Sequence, residues 1–289
     1  MNNLEKLYDE LKNSYNEYLE GKRRQVKNEK SFYVLIYIIY ALSLILTAFV
    51  AIKNDSIIFL ALFSIDVLIV PYIIRYVYKT WGKHVEYEKE YSRLILKEIL
   101  NKFKDIKQYN FCNGIDKTKY KEADFDKYDD IYISKNYVQG LIDEKYYFEM
   151  ANVYTRNRRL FTMDYVFIFD GTFVILDIPK KAEERIFITK QNKLGLGRPD
   201  ILSNNYKIYC KNKSNNKEQF NIKLIEKILE INVFDEIVIK DNKMYLRSYR
   251  NVFELPNVKE ESLTKDRIVN DYNSYENILN SLNKIVKEI

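Results

Sequence analysis

Residues 32–52, FYVLIYIIYALSLILTAFVAI, form a run of 21 without a charge. As a helix rising about 1.5 Å per residue, such a run crosses the roughly 30 Å hydrocarbon core of a bilayer. Residues 57–74 make a second run of 18, broken by one charge, Asp66, and one proline, Pro71. Only Lys53, Asn54, Asp55 and Ser56 stand between the runs. Two apolar helices joined by so short a polar turn run antiparallel, which predicts a transmembrane hairpin over 31–79 with spans at about 32–52 and 57–78. A cleavable signal peptide fits poorly. The first run begins behind a long charged segment, and no small-residue cleavage motif precedes the second.

The flanks orient the hairpin. Lys22, Arg23, Arg24, Lys27 and Lys30 precede the first span, and Arg75, Lys79 and Lys83 follow the second, against Lys53 alone in the turn. An excess of positive residues marks the cytoplasmic side, so both termini are expected there, in a multi-pass protein of a bacterial inner membrane. Tyr33, Tyr37, Tyr72, Tyr76, Tyr78 and Trp81 are placed as an aromatic belt at the same interface. Asp66 is the one ionisable residue inside a span. In the hairpin register it faces the neighbourhood of Ser43 and Tyr40, which predicts a protonated carboxyl hydrogen-bonded to one of them, holding the hairpin or a homo-oligomer together.

The remainder of the 289 residues is polar enough to bring mean hydropathy to -0.38. A net charge of +6, from 47 basic and 41 acidic residues, is too small and dispersed to point to nucleic acid. The abundance of Lys, Asn, Ile and Tyr reads as the codon bias of an AT-rich genome. Two cysteines, Cys112 and Cys210, exclude a disulfide scaffold and suit a reducing compartment. A single histidine excludes the multi-histidine sets of most hydrolytic metal sites.

Residues 1–30 read as an amphipathic helix with a seam at Leu4, Tyr8, Leu11, Tyr15 and Tyr18, the spacing of a coiled coil. Residues 80–107 read as a second charged helix with a stripe of Tyr87, Tyr91, Leu94, Ile95, Ile99, Phe103 and Ile106. Both leave the same side of the membrane, so they are expected to pair as an antiparallel stalk. Over 108–265 helical spacing gives way to short β-rich runs at 130–134, 146–154, 161–169, 172–177, 185–189 and 205–211. Turn signals separate them, Asp170-Gly171 among them. A helix with Phe220, Leu224, Ile225, Ile228 and Leu229 follows. Residues 237–248 then read as a hairpin about Asp241-Asn242, and 266–289 as a terminal helix. The expected class is α+β: an N-terminal helix and transmembrane hairpin, then a mixed, mainly antiparallel sheet with packed helices.

The blocks YVQGLIDEKYYFEMANVYTRNR (137–158), RLFTMDYVFIFDGTFVILD (159–177), YKIYCKN (206–212) and IKDNKMYL (239–246) together resemble the DUF3137 family. Gly140, Phe148, Glu149, Val153, Phe161, Phe169 and the Asp241–Leu246 segment stand at matching places. Where the family's second block carries a glycine, this chain has Thr162-Met163-Asp164. The resemblance spans about 30–250. It implies a bacterial protein with two N-terminal transmembrane helices and a cytoplasmic α+β domain, in a family without an assigned activity, and it brings no catalytic residue.

Candidate chemistry is sparse. His84 beside Trp81-Gly82-Lys83 reads as an interfacial polar residue, and Cys112 and Cys210 as small core residues. The segment LGLGRPD (194–200) has neither a third glycine nor a following Lys-Ser/Thr, so it is no phosphate loop. DFDKYDD (124–130) has Asp129 and Lys135 where a calcium loop needs Gly and Glu, and reads as a solvated linker. Arg156, Arg158 and Arg159 are a candidate contact for anions or lipid headgroups, or else a charged turn pairing with nearby acids. No catalytic triad, metal set or cofactor motif emerges, and none is expected. The reading is a non-enzymatic membrane protein displaying a cytoplasmic interaction domain, with the bilayer, a second copy or another membrane-associated protein as partner. The alternative is a membrane-anchored ligand sensor or anionic-lipid-binding domain.

Overall fold

A computed structural model describes residues 3–54, 63, 67, 69–78, 82–126, 130–158, 165–190, 199, 201–203, 206–210, 225, 227–228, 230–255 and 263–289. The chain forms two compact units, Met1–Ile95 with Leu255–Arg267, and Leu96–Glu254 with Ile268–Ile289.

In the first unit, α1 (Asn3–Asn54) is one unbroken helix of 52 residues. No proline interrupts it and its one glycine, Gly21, is tolerated, so the amphipathic segment and the apolar run merge. Residues 69–78 are helical, and α2 (Lys83–Tyr91) follows Gly82. α2 lies antiparallel to α1. Lys22 Nζ reaches Glu86 Oε1 at 2.5 Å, the Lys83 backbone N–H donates to Glu29 Oε2, and the rings of Tyr33 and Tyr78 meet edge to face at 4.8 Å. The buried side chains here are Leu7, Leu11, Leu19 and Val26 of α1 with Tyr87 and Tyr91 of α2. Burial pushes the Tyr87 hydroxyl up to about 12. The expected seam is therefore rotated. Tyr18 is half exposed while Leu19, beside it, is fully buried.

The charged helix ends earlier than its stripe predicts. A π-turn at Ser92–Leu96 leads into α3 (Lys97–Leu100), and Ile106 opens a strand instead of continuing the helix to 107. Leu141 donates its N–H to the Asp105 carbonyl at 2.8 Å and Ile106 pairs with Gly140, so sheet pairing overrides the local helical period.

The second unit is built on a seven-stranded sheet in which every described pair is antiparallel, so the expectation of a mixed sheet is corrected. Its strands are β1 (Ile106–Asn110), β2 (Ile131–Ile142), β3 (Tyr146–Arg158), β4 (Tyr165–Thr189), β5 (Ile201–Ser203), β6 (Tyr206–Cys210) and β7 (Glu236–Ser248). The order is β1-β2-β3-β4-β6-β5, with β7 along the other edge of β4. β4 is 25 residues long and runs straight through Asp170-Gly171, where a turn was expected. The glycine is there for clearance. A Cβ on Gly171 would collide with the Ser248 carbonyl of β7 and stand 3.0 Å from Tyr249 Cα. Residues 237–248 are likewise not a hairpin. Both halves of β7 pair with β4, Thr172 with Ser248 at one end and Thr189 with Glu236 at the other. The strand bends at Asp241 (φ 53), opposite a bulged stretch of β4 between Asp177 and Ile186 that contains Pro179.

One sheet face carries an aromatic core of Phe125, Phe169, Phe173, Phe187, Tyr209 and Tyr245, roofed by α4 (Lys117–Glu122) through Tyr120. Asp116 caps α4 by accepting from the Thr118 N–H at 2.7 Å. On β3 the opposite face holds Phe148 and Met150, both fully buried. The last helix, α5 (Lys265–Glu288), buries Ile268, Ile278, Leu282 and Ile285 as predicted. It is tied in by the ring pairs Phe253–Tyr275 and Phe103–Tyr272.

Candidate functional site

Among the described residues one helix is long and apolar enough to cross a membrane, within Glu17–Val50, where the most apolar window has mean hydropathy 2.4 and none of it is buried. Phe32, Leu35, Ile38, Ile39, Leu42, Ile45, Leu46, Phe49 and Ile52 are all more than half exposed. Ser43 and Thr47 satisfy their hydroxyls within α1, on the carbonyls of Tyr40 and Ser43, each at 2.8 Å. The expected partnership of Asp66 with Ser43 or Tyr40 lies outside the described residues; of the expected turn, Lys53 and Asn54 continue α1, and Asp55 and Ser56 lie outside them.

Of the predicted arginine cluster, Arg156 and Arg158 are exposed and Arg159 lies outside the described residues. They do not sit in a turn. Both are on β3, where the Arg156 guanidinium covers the Tyr154 ring at 4.8 Å and the Arg158 N–H donates to Asp130 Oδ2. The register sets Ile133 opposite Tyr154, Ile131 opposite Arg156, Phe167 opposite Arg156 and Tyr165 opposite Arg158. Residues opposite one another share a face, so these seven side chains form one surface. Three of its apolar members are conspicuously open: Ile133 44%, Tyr165 46% and Phe167 52% exposed. The fully buried Phe148 and Met150 lie on this same face of β3. The face is covered at one end and open at the other.

Two polar constellations escaped sequence reasoning. In the first, Glu149, 4% exposed, accepts from Lys119 Nζ at 2.5 Å and from the Tyr147 hydroxyl at 3.1 Å. Tyr147 and Tyr137 also reach Gln139 Oε1 at 3.0 Å each. Glu149 Oε2 is buried without a hydrogen-bond partner. Burial raises the hydroxyls of Tyr137 and Tyr147. Lys119 is pulled down by burial but raised on balance by Glu149. The alternation Tyr147-x-Glu149 within an otherwise apolar strand was the available signal.

The second centres on Arg247, fully buried, with Nη1 at 2.6 Å from Asp126 and 3.0 Å from Glu236 and Nη2 donating to the Tyr120 hydroxyl. Its guanidinium lies 4.1 Å from the ring centre of Phe125 and 4.7 Å from that of Phe169. Burial lowers its pKa to about 9, still above neutrality, so the cation persists between its carboxylates. Within DFDKYDD, Phe125 and Asp126 are no solvated linker, for they close the cage over Arg247, while Asp124 and Asp130 are exposed. With Arg247 and Glu236 fully buried, this arrangement organises the core.

Of the other single residues, Cys112 is exposed, its N–H held by Asn110 Oδ1 at 3.0 Å, which corrects its assignment to the core. Cys210 is half-buried in β6. The His84 ring stacks on Tyr78 at 4.8 Å. Among the described residues no group of three or more His, Cys, Asp or Glu side chains is placed to hold a metal ion. The LGLGRPD loop lies almost wholly outside the described residues. No protein-family model matches the chain, and no curated protein or solved structure matches it.

Proposed function

We propose that the protein is a non-enzymatic membrane protein that holds an α+β interaction domain at the cytoplasmic surface of a bacterial membrane, anchored by a two-helix hairpin. The observation that carries this reading is the unburied apolar half of α1, which in water would expose a continuous column of Leu, Ile and Phe. The hairpin is supported by the return of the chain. Tyr78 lies against Tyr33, and α2 runs antiparallel along α1, as a chain returning to its starting level would. Tyr72 and Tyr76, 71% and 58% exposed, suit the interfacial belt. Membership of the DUF3137 family, which the resemblance implies, would bring the same architecture.

Two measurements on the expressed full chain test it. Carbonate washing should leave the protein in the membrane pellet. A cysteine introduced at Lys53 should react with an impermeant maleimide from outside the inner membrane, while Cys112 reacts only after permeabilisation. Release by carbonate, or the reverse labelling pattern, overturns the reading.

A further inference from the structure

We infer that the open end of the β2-β3-β4 face is a docking surface for the anionic bilayer, through Arg156, Arg158, Tyr154, Tyr165, Phe167 and Ile133. The inference rests on the anchored reading above and names what the displayed domain touches.

Singly exposed apolar residues are ordinary on a soluble domain. These are not single. Ile133, Tyr154, Phe167 and Tyr165 are register neighbours on three adjacent strands, and the rings of Tyr154 and Phe167 lie 6.3 Å apart. The two exposed guanidiniums are interleaved with them rather than set apart, Arg156 directly between Ile131 and Phe167. Two acids adjoin the surface: Asp130, whose Oδ2 accepts the Arg158 backbone N–H, and Asp170, opposite Tyr154, raised by burial and drawn back down by Arg156.

Aromatic rings with arginines beside them match the headgroup layer, where rings settle at the acyl boundary and guanidiniums stay with phosphate. A tethered domain meets that layer at high effective concentration, so a patch of a few residues suffices. Each arginine near an anionic surface contributes roughly a fivefold preference over a neutral one, so two give on the order of twenty-five-fold.

The test uses the full chain, with Cys112→Ser and Cys210→Ser, in nanodiscs that hold one copy each. Ile133→Cys reports on the patch, and Lys107→Cys, on exposed β1, is the control. In phosphatidylglycerol-containing discs, maleimide should label position 133 about tenfold more slowly than in phosphatidylcholine discs. Position 107 should react equally in both, and Arg156→Gln with Arg158→Gln should restore fast labelling at 133. Equal rates at 133 in the two lipids overturn the inference. So does protection that survives the two glutamines, or protection seen only in discs holding two copies, which would name a second chain as the occupant. Incorporation into discs reads the anchor separately, so failure of the patch and failure of the anchor are distinguishable.

Discussion

Arg247 shows how much one side chain can organise. Its cation links the two ends of β7 through Glu236, and joins that strand to Asp126 and, through the Tyr120 hydroxyl, to α4. Truncation would strand Glu236, which is fully buried, opposite an empty space. Arg247→Ala is therefore expected to destabilise the sheet domain by about 3–5 kcal/mol, read by urea unfolding in mild detergent. A loss below about 1 kcal/mol would show that the cage tolerates an unpaired carboxylate. The role was invisible in sequence because YLRS offers an arginine like any other. Apart from Glu236 on the same strand, its polar partners come from 120–126, and no local pattern announces a pairing across more than 100 residues.

At the scale of elements, helices were legible and strand connections were not. α5 follows from periodicity and the apolar half of α1 from an unbroken charge-free run, both properties of neighbouring residues. Asp170-Gly171 and Asp241-Asn242 carry turn chemistry, yet both lie inside long strands. Composition reports only that a residue permits a bend or a close approach. Which of the two it serves depends on what crosses it. Gly171 is crossed by the end of β7, so Gly171→Ala should separate β4 from β7 there. Hydrogen exchange at Thr172, Phe173 and Val174 should speed up more than at Glu149 or Met150 on β3. Uniform acceleration would mean that the close approach has no local role. The arginine cluster was found by composition alone, while its setting on an open aromatic face needed the register of three strands.

For the molecule as a whole, the buried phenols predict alkaline lability. Burial lifts Tyr137, Tyr147 and Tyr245 above their ordinary value of 10.0, and Tyr249 to about 12. Between 10 and about 12 the folded chain keeps protons that the unfolded chain releases, so stability is full below pH 10 and falls as pH rises through that window. Lys119, raised on balance by Glu149, adds a loss of the same sign. Titration of the detergent-solubilised chain should show a late group of tyrosinates appearing together with loss of the far-ultraviolet signal. Ionisation of every tyrosine near 10 with the fold intact would contradict the burial.

The sharing of β4 also governs the order of synthesis. The apolar half of α1 is made before the sheet, whereas the edge of β4 that faces away from β3 is covered only when residues 236–248 have been made. Through that interval one margin of a 25-residue strand stands open, a template for any passing strand. A nascent chain of this protein is thus most in need of a chaperone after β4 has been made and before residues 236–248 have been translated.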